Sequence, residues 1–476
     1  MRGTGDRLAG ELTQADALRR RLTANASAHG YEQVETPVLE HTDLFLRKSG
    51  GDRIAQLYAF EHRGRNLTLR PEFTAPAVRL YIEHMQGDPL PVRLSFTGPV
   101  FRYEKPQSGR SRQFTEFGCE LIGASGPLAD AEIIGLALDG LRQAGVARPR
   151  LVLGHIGIVI GFLGGLEIDQ RAQDWLTWSM ERLRKGDDSA HDLPPHLERL
   201  EASLDESGLL PATDDIDTET VAAILRQAGV DFTGGTRSTE DIVNGLFAKR
   251  RRRYDAQVLR DAASFVSALT RLSGPPDTVI QPLRELVAAR GLDLGPLDEL
   301  EQIIAMLTST GLNPDDIRID LGMGRGLHYY TGMLFEIYTD SLAGPQLCGG
   351  GRYDDLAQIL GARQPVAACG FSFGLERIMS VTSAMLDLPM PPKALVLQGD
   401  DPARALLLAS SLRAAGWTAN VDLRGRNLSA TRRAALRQDY IALARYVNDQ
   451  VEIARLSDDA KTTHSHVPSP EEVIGQ

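Results

Sequence analysis

The stretch Phe101–Glu120, FRYEKPQSGRSRQFTEFGCE, decides how the fold is read. Strand-type runs, Val92–Tyr103 and Phe114–Ile122, stand on either side of the polar segment Glu104–Gln113. Two such runs around a polar loop predict a long β-hairpin. Side chains alternate faces along a strand, so Arg102 and Glu104 share one face; Arg110 and Arg112 share a face by the same rule if extended. Arginines on a rigid hairpin can fork onto phosphate oxygens. The competing reading is a hairpin of opposite-charge cross-strand pairs.

Outward from the hairpin, Gln14–Ala28 reads as an amphipathic helix, with Leu18, Leu22 and Ala26 at helical spacing and Gly30 beyond its end. Tyr31–Leu39 alternates as a strand up to Pro37, and Leu57–Leu69 reads as strand, turn (Arg63-Gly64-Arg65), strand. Ala75–Met85 and Leu128–Ala144 read as helices. The first part of the chain therefore mixes antiparallel strands with helices and lacks regular βαβ alternation. Between about 155 and 310 helices dominate: Gln170–Lys185, Glu219–Ala228, Ser238–Ala248, Tyr254–Leu272 and Leu297–Thr310. Strand signals return at Ile317–Leu321, Tyr330–Thr339 and Ala368–Phe373. After the linker Leu388–Pro392 comes a small α/β unit: strand Ala394–Leu397, helix Pro402–Ala415, strand Thr418–Asp422 and helix Ser429–Gln438. ALRQDYIALARYVNDQ lacks a glycine-ended apolar strand, and HSHVPSPEEVIGQ reads as a frayed polar tail. The expected division is 1–155 and 311–387 as two parts of one core, 156–310 as a helical insertion, and 393–476 as a C-terminal domain.

The chain has 476 residues, enough for two to four domains. Its net charge of −11 argues against coating nucleic acid through bulk positive charge and leaves local basic grooves open. Cys119, Cys348 and Cys369 show no CxxC spacing, which fits a reducing compartment without a disulfide framework or zinc site. His155, His191 and His196 lack a third ligand at metal spacing, so no structural metal is expected. The apolar stretch Ile156–Leu163 is broken by Gly157 and Gly161, far short of the ~18 residues of a membrane helix. The N-terminus lacks the apolar core of a signal peptide. A soluble cytoplasmic protein with no membrane contact is expected.

Other segments concentrate chemistry. GMGRGLHYYTGMLFEIY (Gly322–Tyr338) sets Arg325 among glycines, where it can stabilise developing negative charge; the alternative is a turn with Tyr329 in the core. CGGGRYDDL (Cys348–Leu356) reads as a glycine-rich turn, either a tight turn or a phosphate cradle, and no GK[ST] follows to make it a Walker loop. GFSFGLERI (Gly370–Ile378) takes a glycine-bounded strand into a helix with Arg377; Glu376 and Arg377 otherwise form a solvated face. LTLRPEFTAPAVR (Leu67–Arg79) puts Glu72 and Thr74 at a strand-to-helix junction, with Thr74 as N-cap and Pro76 in the first turn. Lys249–Arg253 (KRRRR) reads as a solvated helix face rather than a phosphate contact.

In this order, the segments RGTGD, YEQVETPVLEHTDLF, TLRPEFTA, FRYEKPQSGRSRQF, RGLHYYTG, CGGGRYDDL and GFSFGLERI resemble the histidyl-tRNA synthetase family of class II aminoacyl-tRNA synthetases, over roughly residues 1–122 and 315–385. The resemblance implies an α+β catalytic core with an antiparallel sheet flanked by helices, followed by an anticodon-binding-like α/β domain. It implies a homodimer formed through the second segment, and an adenylate-forming site. It places Arg102 on the α-phosphate of ATP, Glu104 on the adenine edge, and Arg377 on the γ-phosphate. Arg325 would stabilise the α-phosphate as the histidine carboxylate attacks. Arg110 and Arg112 would lie near ATP or the tRNA acceptor end. Glu72 and Thr74 would hold the α-amino group, while Glu120 and Tyr330 read the imidazole; Tyr329 and Glu116 belong to the same histidine site. ATP with Mg2+, L-histidine and tRNA are the implied ligands.

Two residues depart from the family pattern. Phe73 stands where RPEGTA has glycine, either filling part of the amino-acid pocket or pointing into the core, and Glu116 replaces the usual glutamine. These features and LVLGHIG (Leu151–Gly157) are similar to the family's non-catalytic paralogue, the histidine-sensing regulatory subunit of ATP phosphoribosyltransferase. That alternative implies the phosphoribosyltransferase catalytic chain as partner. A third reading is amino-acid activation for another carrier. Retention of Arg102, Arg325 and Arg377 favours the ligase.

Overall fold

The computed structural model describes residues 3–46, 56–103, 111–166, 173, 176–177, 180, 256–323, 329–382, 391–458 and 460–474. The chain forms two compact units, Met1–Leu386 and Asp387–Gln476. Among the described residues no helix is long and apolar enough to cross a membrane. The expected helices Glu219–Ala228 and Ser238–Ala248, most of Gln170–Lys185, and the basic run Lys249–Arg253 lie outside the described residues.

In chain order the larger unit has strands β1 (Glu32–Gln33), β2 (Leu39–His41), β3 (Tyr58–His62), β4 (Arg65–Leu69), β5 (Val92–Phe101), β6 (Gln113–Ile122), β7 (Arg150–His155), β8 (Ser273–Gly274), β9 (Ile317–Asp320), β10 (Met333–Tyr338), β11 (Gln346–Arg352) and β12 (Ala368–Gly374). Strands β2, β4 and β3 form a small sheet. The other nine form one sheet in the order β1-β5-β6-β12-β11-β10-β7-β9-β8. Only the pairs β1–β5 and β7–β9 are parallel; the centre is antiparallel. The long hairpin stands where the sequence predicts it, with β5 paired to β6 from Val92–Ile122 to Phe101–Gln113.

Register gives the sheet two unlike faces. Leu94, Glu120, Gly370 and Gly351 lie in one row across four strands. Gly98, Glu116 and Gly374 lie in another row, four residues along β6 and so on the same face. The opposite face carries Phe117, Cys119, Phe371 and Phe373, all buried. Helices Ala9–Ala28, Pro127–Gln143 and Gly295–Ser309 cover that side in one apolar core. Their buried residues recur at helical spacing: Leu18, Leu22 and Ala26 in the first, Ile134, Leu138 and Leu141 in the second. Close packing is visible at Gly140, where a Cβ would stand 3.3 Å from both Leu22 and Phe373.

One buried ion pair pins helix to sheet. Arg352 Nε and Nη2 donate to Asp130 Oδ1 at 2.9 and 2.6 Å, and its Nη1 donates to Asp354 and to the Ala124 carbonyl. Burial pushes the Asp130 carboxyl above its ordinary range, and Arg352 pulls it back. Such a pair adds little net stability when intact and costs much when broken.

The C-terminal unit has β13 (Lys393–Val396), β14 (Thr418–Val421), β15 (Ala442–Val447), β16 (Gln450–Arg455) and β17 (Lys461–His464), in the order β14-β13-β15-β16-β17. Asp401 caps helix Pro402–Ala414 by accepting from the Ala403 and Arg404 amides. The segment ALRQDYIALARYVNDQ holds a strand that no glycine ends, β15, parallel to β13, with Ala442 and Ala444 buried. Two sequence expectations are corrected. The polar tail is anchored: β17 pairs with β16, Val473 is buried, and Trp417 Nε1 donates to the Pro468 carbonyl at 2.9 Å. CGGGRYDDL supplies a central strand rather than a turn, with Gly349, Gly350 and Gly351 buried inside β11.

Asp130→Ala leaves the Arg352 guanidinium buried without its main partner and should lower unfolding free energy by about 3–5 kcal/mol. An unchanged denaturation midpoint would refute that role.

Candidate active site

The glycine-lined face gathers the polar groups. Glu120 is fully buried on β6, and its carboxyl occupies the space a Cβ on Gly370 would need. On β11 a Cβ at Gly351 would stand 2.9 Å from the Tyr330 ring. Strand glycines thus let a carboxyl and an aromatic ring lie directly on the sheet. Tyr353, just past the end of β11, donates its hydroxyl to Glu120 Oε2. Tyr329 packs edge-on against Tyr353 with ring centroids 5.6 Å apart, and Tyr330 lies 4.8 Å from Tyr329. Glu120 Oε1 is buried and closes no well-formed hydrogen bond among the described residues.

Burial, above all, pushes the Glu120 carboxyl up to about 8; the hydroxyls of Tyr353 and Thr74 oppose this, and the nearby charges of Glu72 and Glu116 add to it. Glu72, Thr74, Glu116, Glu120 and Tyr353 therefore sit in one electrostatic neighbourhood. Glu72 accepts from the Thr74 amide at 2.6 Å and from the Ala75 amide at 3.1 Å. That corrects the expected cap: helix Thr74–His84 begins at Thr74 itself, and the Glu72 carboxylate satisfies its first amides.

Arg102 stands beside this group. Its Nη2 donates to Glu116 Oε1 at 2.6 Å and its Nε to the Pro71 carbonyl at 2.7 Å. Arg377 lies on the helix Leu375–Val381, its stem 3.7 Å from where a Gly374 Cβ would be, and its Nη1 donates to the Gln346 carbonyl. Gly374 pairs directly with Glu116, so both arginines flank the same row of the sheet. Arg112 is at the loop end of the hairpin, its guanidinium 4.0 Å over the Tyr103 ring. Arg325, Glu104 and Arg110 lie outside the described residues. Glu376 is tied inward, accepting from the Thr115 amide and pairing with Arg7 at 2.8 Å.

Phe73 is buried in a small apolar cluster with Ala77, Phe96 and Val100, on the sheet face that also carries Glu116 and Glu120. Its ring is 1% exposed and stacks on Phe96 at 4.5 Å and 9°, with the Arg70 guanidinium 3.9 Å from its centroid. Gly98 makes room, since a Cβ there would stand 3.1 Å from the ring. Arg70 is itself fixed by the carbonyls of Thr36, Pro37 and Pro99. The residue that sequence reasoning missed is Tyr353; its signal was alternation, two positions past Gly351 and so on the same face. A cleft of about 450 Å3 lined by Leu39, His41, Arg63 and Leu67 belongs to the small sheet and includes none of the expected site residues.

The family model for histidyl-tRNA synthetase matches residues 3–187 and 216–378. The chain belongs to the histidyl-tRNA synthetase family. A histidine–tRNA ligase of Archaeoglobus fulgidus is 33% identical over 430 residues, covering 90% of this chain and 86% of that protein. One of Methanoculleus marisnigri is 32% identical over 448 residues, covering 93% and 89%. Among solved structures, apo histidyl-tRNA synthetase of S. aureus aligns with a TM-score of 0.61 at 23% identity, covering 97% of this chain and 96% of that one. A Bacillus halodurans protein described as an ATP phosphoribosyltransferase regulatory subunit/histidyl-tRNA synthetase aligns at 0.62, also 23% identical, covering 91% and 95%. These structures share the class II synthetase-type fold of this family. The fold does not separate ligase from regulator.

Two outcomes follow. Phe73→Ala should cost about 3–5 kcal/mol of stability by chemical denaturation, as for other buried aromatic rings, and wild-type stability would contradict the stack. Folded Glu120 keeps its proton up to about pH 8, whereas an unfolded glutamate loses it near ~4.3. Its stabilising contribution is full below the unfolded value and is lost as pH rises through about 8. Wild-type stability should therefore fall more steeply than that of Glu120→Gln between about pH 5 and 9; parallel profiles would disprove the raised pKa.

Proposed function

We propose that the chain is a histidine–tRNA ligase, activating histidine with ATP and transferring it to the terminal ribose of tRNA. The observation that carries the reading is the buried Glu120 carboxyl facing Tyr353 in the same neighbourhood as Glu72, Thr74, Glu116 and Arg102. An imidazole needs a polar partner at each ring nitrogen, an ammonium needs carboxylates, and a phosphate needs a guanidinium. Those three chemistries lie along one sheet face in that order.

In this reading Glu120, Tyr330 and Tyr353 receive the imidazole, with Tyr329 behind them, and Glu72, Thr74 and Glu116 receive the α-ammonium. Arg102 holds the α-phosphate and Arg377 the γ-phosphate. Arg325 has its role from the family pattern: it stabilises the charge that develops as the histidine carboxylate attacks the α-phosphorus and pyrophosphate leaves. Glu104 is assigned to the adenine, and Arg110 and Arg112 to ATP or the acceptor end. The ribose hydroxyl of tRNA then attacks the adenylate carbonyl and AMP departs. Among the described residues no cluster of three or more His, Cys, Asp or Glu side chains could hold a metal. Mg2+ would enter with the triphosphate. Residues 1–155 and 311–387 act as the catalytic core around the insertion 156–310, with 393–476 engaging the anticodon. A cytoplasmic homodimer built through Tyr31–Phe45 is part of the proposal.

The curated relatives are ligases over about 90% of the chain, and this favours the ligase over the regulatory subunit. Histidine-dependent ATP–pyrophosphate exchange is the test. Exchange should be present, should fall at least about 100-fold in kcat/KM in Arg102→Ala, and should vanish in Arg325→Ala. No exchange, together with co-purification of a phosphoribosyltransferase chain, would overturn the reading.

A further inference from the structure

The aromatic groups about the Glu120 carboxyl come from two separate segments. Tyr329 and Tyr330 precede β10, and Tyr353 follows β11. Their rings meet: centroids lie 4.8 Å apart for Tyr329 and Tyr330, 5.6 Å for Tyr329 and Tyr353, and 6.5 Å for Tyr330 and Tyr353. All three stand outside the regular strands, so the ladder alone does not set their relative position. The joint between the segments is Thr331. Its amide donates to the Arg352 carbonyl at 2.8 Å, and its Oγ1 accepts from the Asp354 amide at 3.1 Å. Thr331 thus grips the residues on both sides of Tyr353.

Other bonds fasten this joint to the sheet. The Tyr353 amide donates to the Ala368 carbonyl at 2.8 Å. Asp354 Oδ1 accepts from the Ala368 amide at 3.1 Å and from Arg352 Nη1 at 3.0 Å. On the other side the Gly332 carbonyl accepts from the Ile156 amide at 3.0 Å, just past the end of β7. Gly332 packs tightly against the Arg352 stem, since a Cβ there would stand 3.0 Å from Cδ. The Thr331 hydroxyl spans from one tyrosine-bearing segment to the other.

We infer that Thr331 is a positioning residue for the imidazole pocket: its hydroxyl holds the Asp354 amide and so keeps the Tyr353 hydroxyl on the Glu120 carboxyl, with Tyr330 alongside. It acts through Tyr353 rather than on the substrate. A polar pocket for a small ring has to be held to about 0.5 Å by the groups behind it. A tyrosine hydroxyl at the end of a long side chain magnifies any tilt of the backbone that carries it. Valine at 331 keeps the shape but takes this acceptor from the Asp354 amide, which frees the turn after β11 to tilt. The inference rests on the histidine-binding half of the ligase reading and adds to it a residue that supports the pocket from behind.

The test is calorimetric titration of the full chain with L-histidine and, separately, with ATP. The proteins compared are wild type, Thr331→Val, Thr331→Ser, Tyr353→Phe and the double variant Thr331→Val/Tyr353→Phe. Thr331→Val should weaken histidine binding by about tenfold, the scale of one lost hydrogen bond on which the binding-competent arrangement depends, and leave ATP affinity within about twofold. In histidine-dependent pyrophosphate exchange it should raise KM for histidine by the same factor and leave KM for ATP unchanged. Thr331→Ser, which keeps the hydroxyl, should bind histidine as wild type does. In Tyr353→Phe the hydroxyl that Thr331 positions is already missing, so adding Thr331→Val should cost no further affinity. Wild-type histidine affinity in Thr331→Val, an equal loss for ATP, a serine variant as weak as the valine one, or losses that add in the double variant overturns the inference and leaves the ligase reading standing. Absence of both histidine binding and pyrophosphate exchange in the wild-type chain overturns both.

Discussion

The Glu120 carboxyl lies where a Cβ on Gly370 would have to be, and Tyr353 reaches across from the end of β11 to donate to it. Strands β6, β12 and β11 can bring these groups together only if one face of the sheet is bare at its centre. A side chain at Gly370 would displace the carboxyl, and one at Gly351 would push the Tyr330 ring aside. Glycine weakens a strand through entropy and lost packing, so the opposite face must supply the compensating burial. It does so with Phe117, Phe371 and Phe373 under the helices Ala9–Ala28 and Pro127–Gln143. The main apolar core thus lies on one side of the sheet, and the buried polar groups lie on the other beside the small Phe73–Phe96 cluster.

That separation explains why the site tolerates poorly compensated charge. Burial keeps the Glu120 carboxyl protonated into the neutral range, and its Oε1 closes no well-formed hydrogen bond among the described residues. Such groups are costly in a core and persist where the surrounding structure over-determines them. Here the determinants are the antiparallel register from β5 to β10 and the Asp130–Arg352 pair, which fastens β11 to the helix beneath it. A carboxyl placed by a strand register has little freedom to relax toward water, and that rigidity suits recognition of a small polar ring.

The hairpin was legible because β5 and β6 are long and apolar on both sides of a polar loop. Arg102 and Glu116 were legible as residue types, yet their mutual pairing was not, because cross-strand partners depend on a register that composition does not reveal. The glycine run was misread for a physical reason: a turn and a ligand-facing strand both select glycine, and only the neighbours' side chains tell them apart. Strand β15 escaped notice because alanines at 442 and 444 fill its buried positions, leaving no bulky period-two signal. The tail looked polar because its anchors are few, essentially Val473 and the Trp417–Pro468 hydrogen bond.

Phe73 shows how a departure from a family pattern should be weighed. A ring in place of glycine between Glu72 and Thr74 suggests a blocked pocket, and a blocked pocket suggests a protein that senses rather than reacts. The ring instead packs onto Phe96 and against Arg70 on the sheet face that carries Glu116 and Glu120, while Glu72 keeps its hold on the amides of Thr74 and Ala75. Glu116 is the departure that does reach the site, because it changes the charge met by Arg102. Fold-level likeness is equally good to a synthetase and to a protein described as regulator and synthetase, so the distinction rests on the sequence likeness to curated ligases.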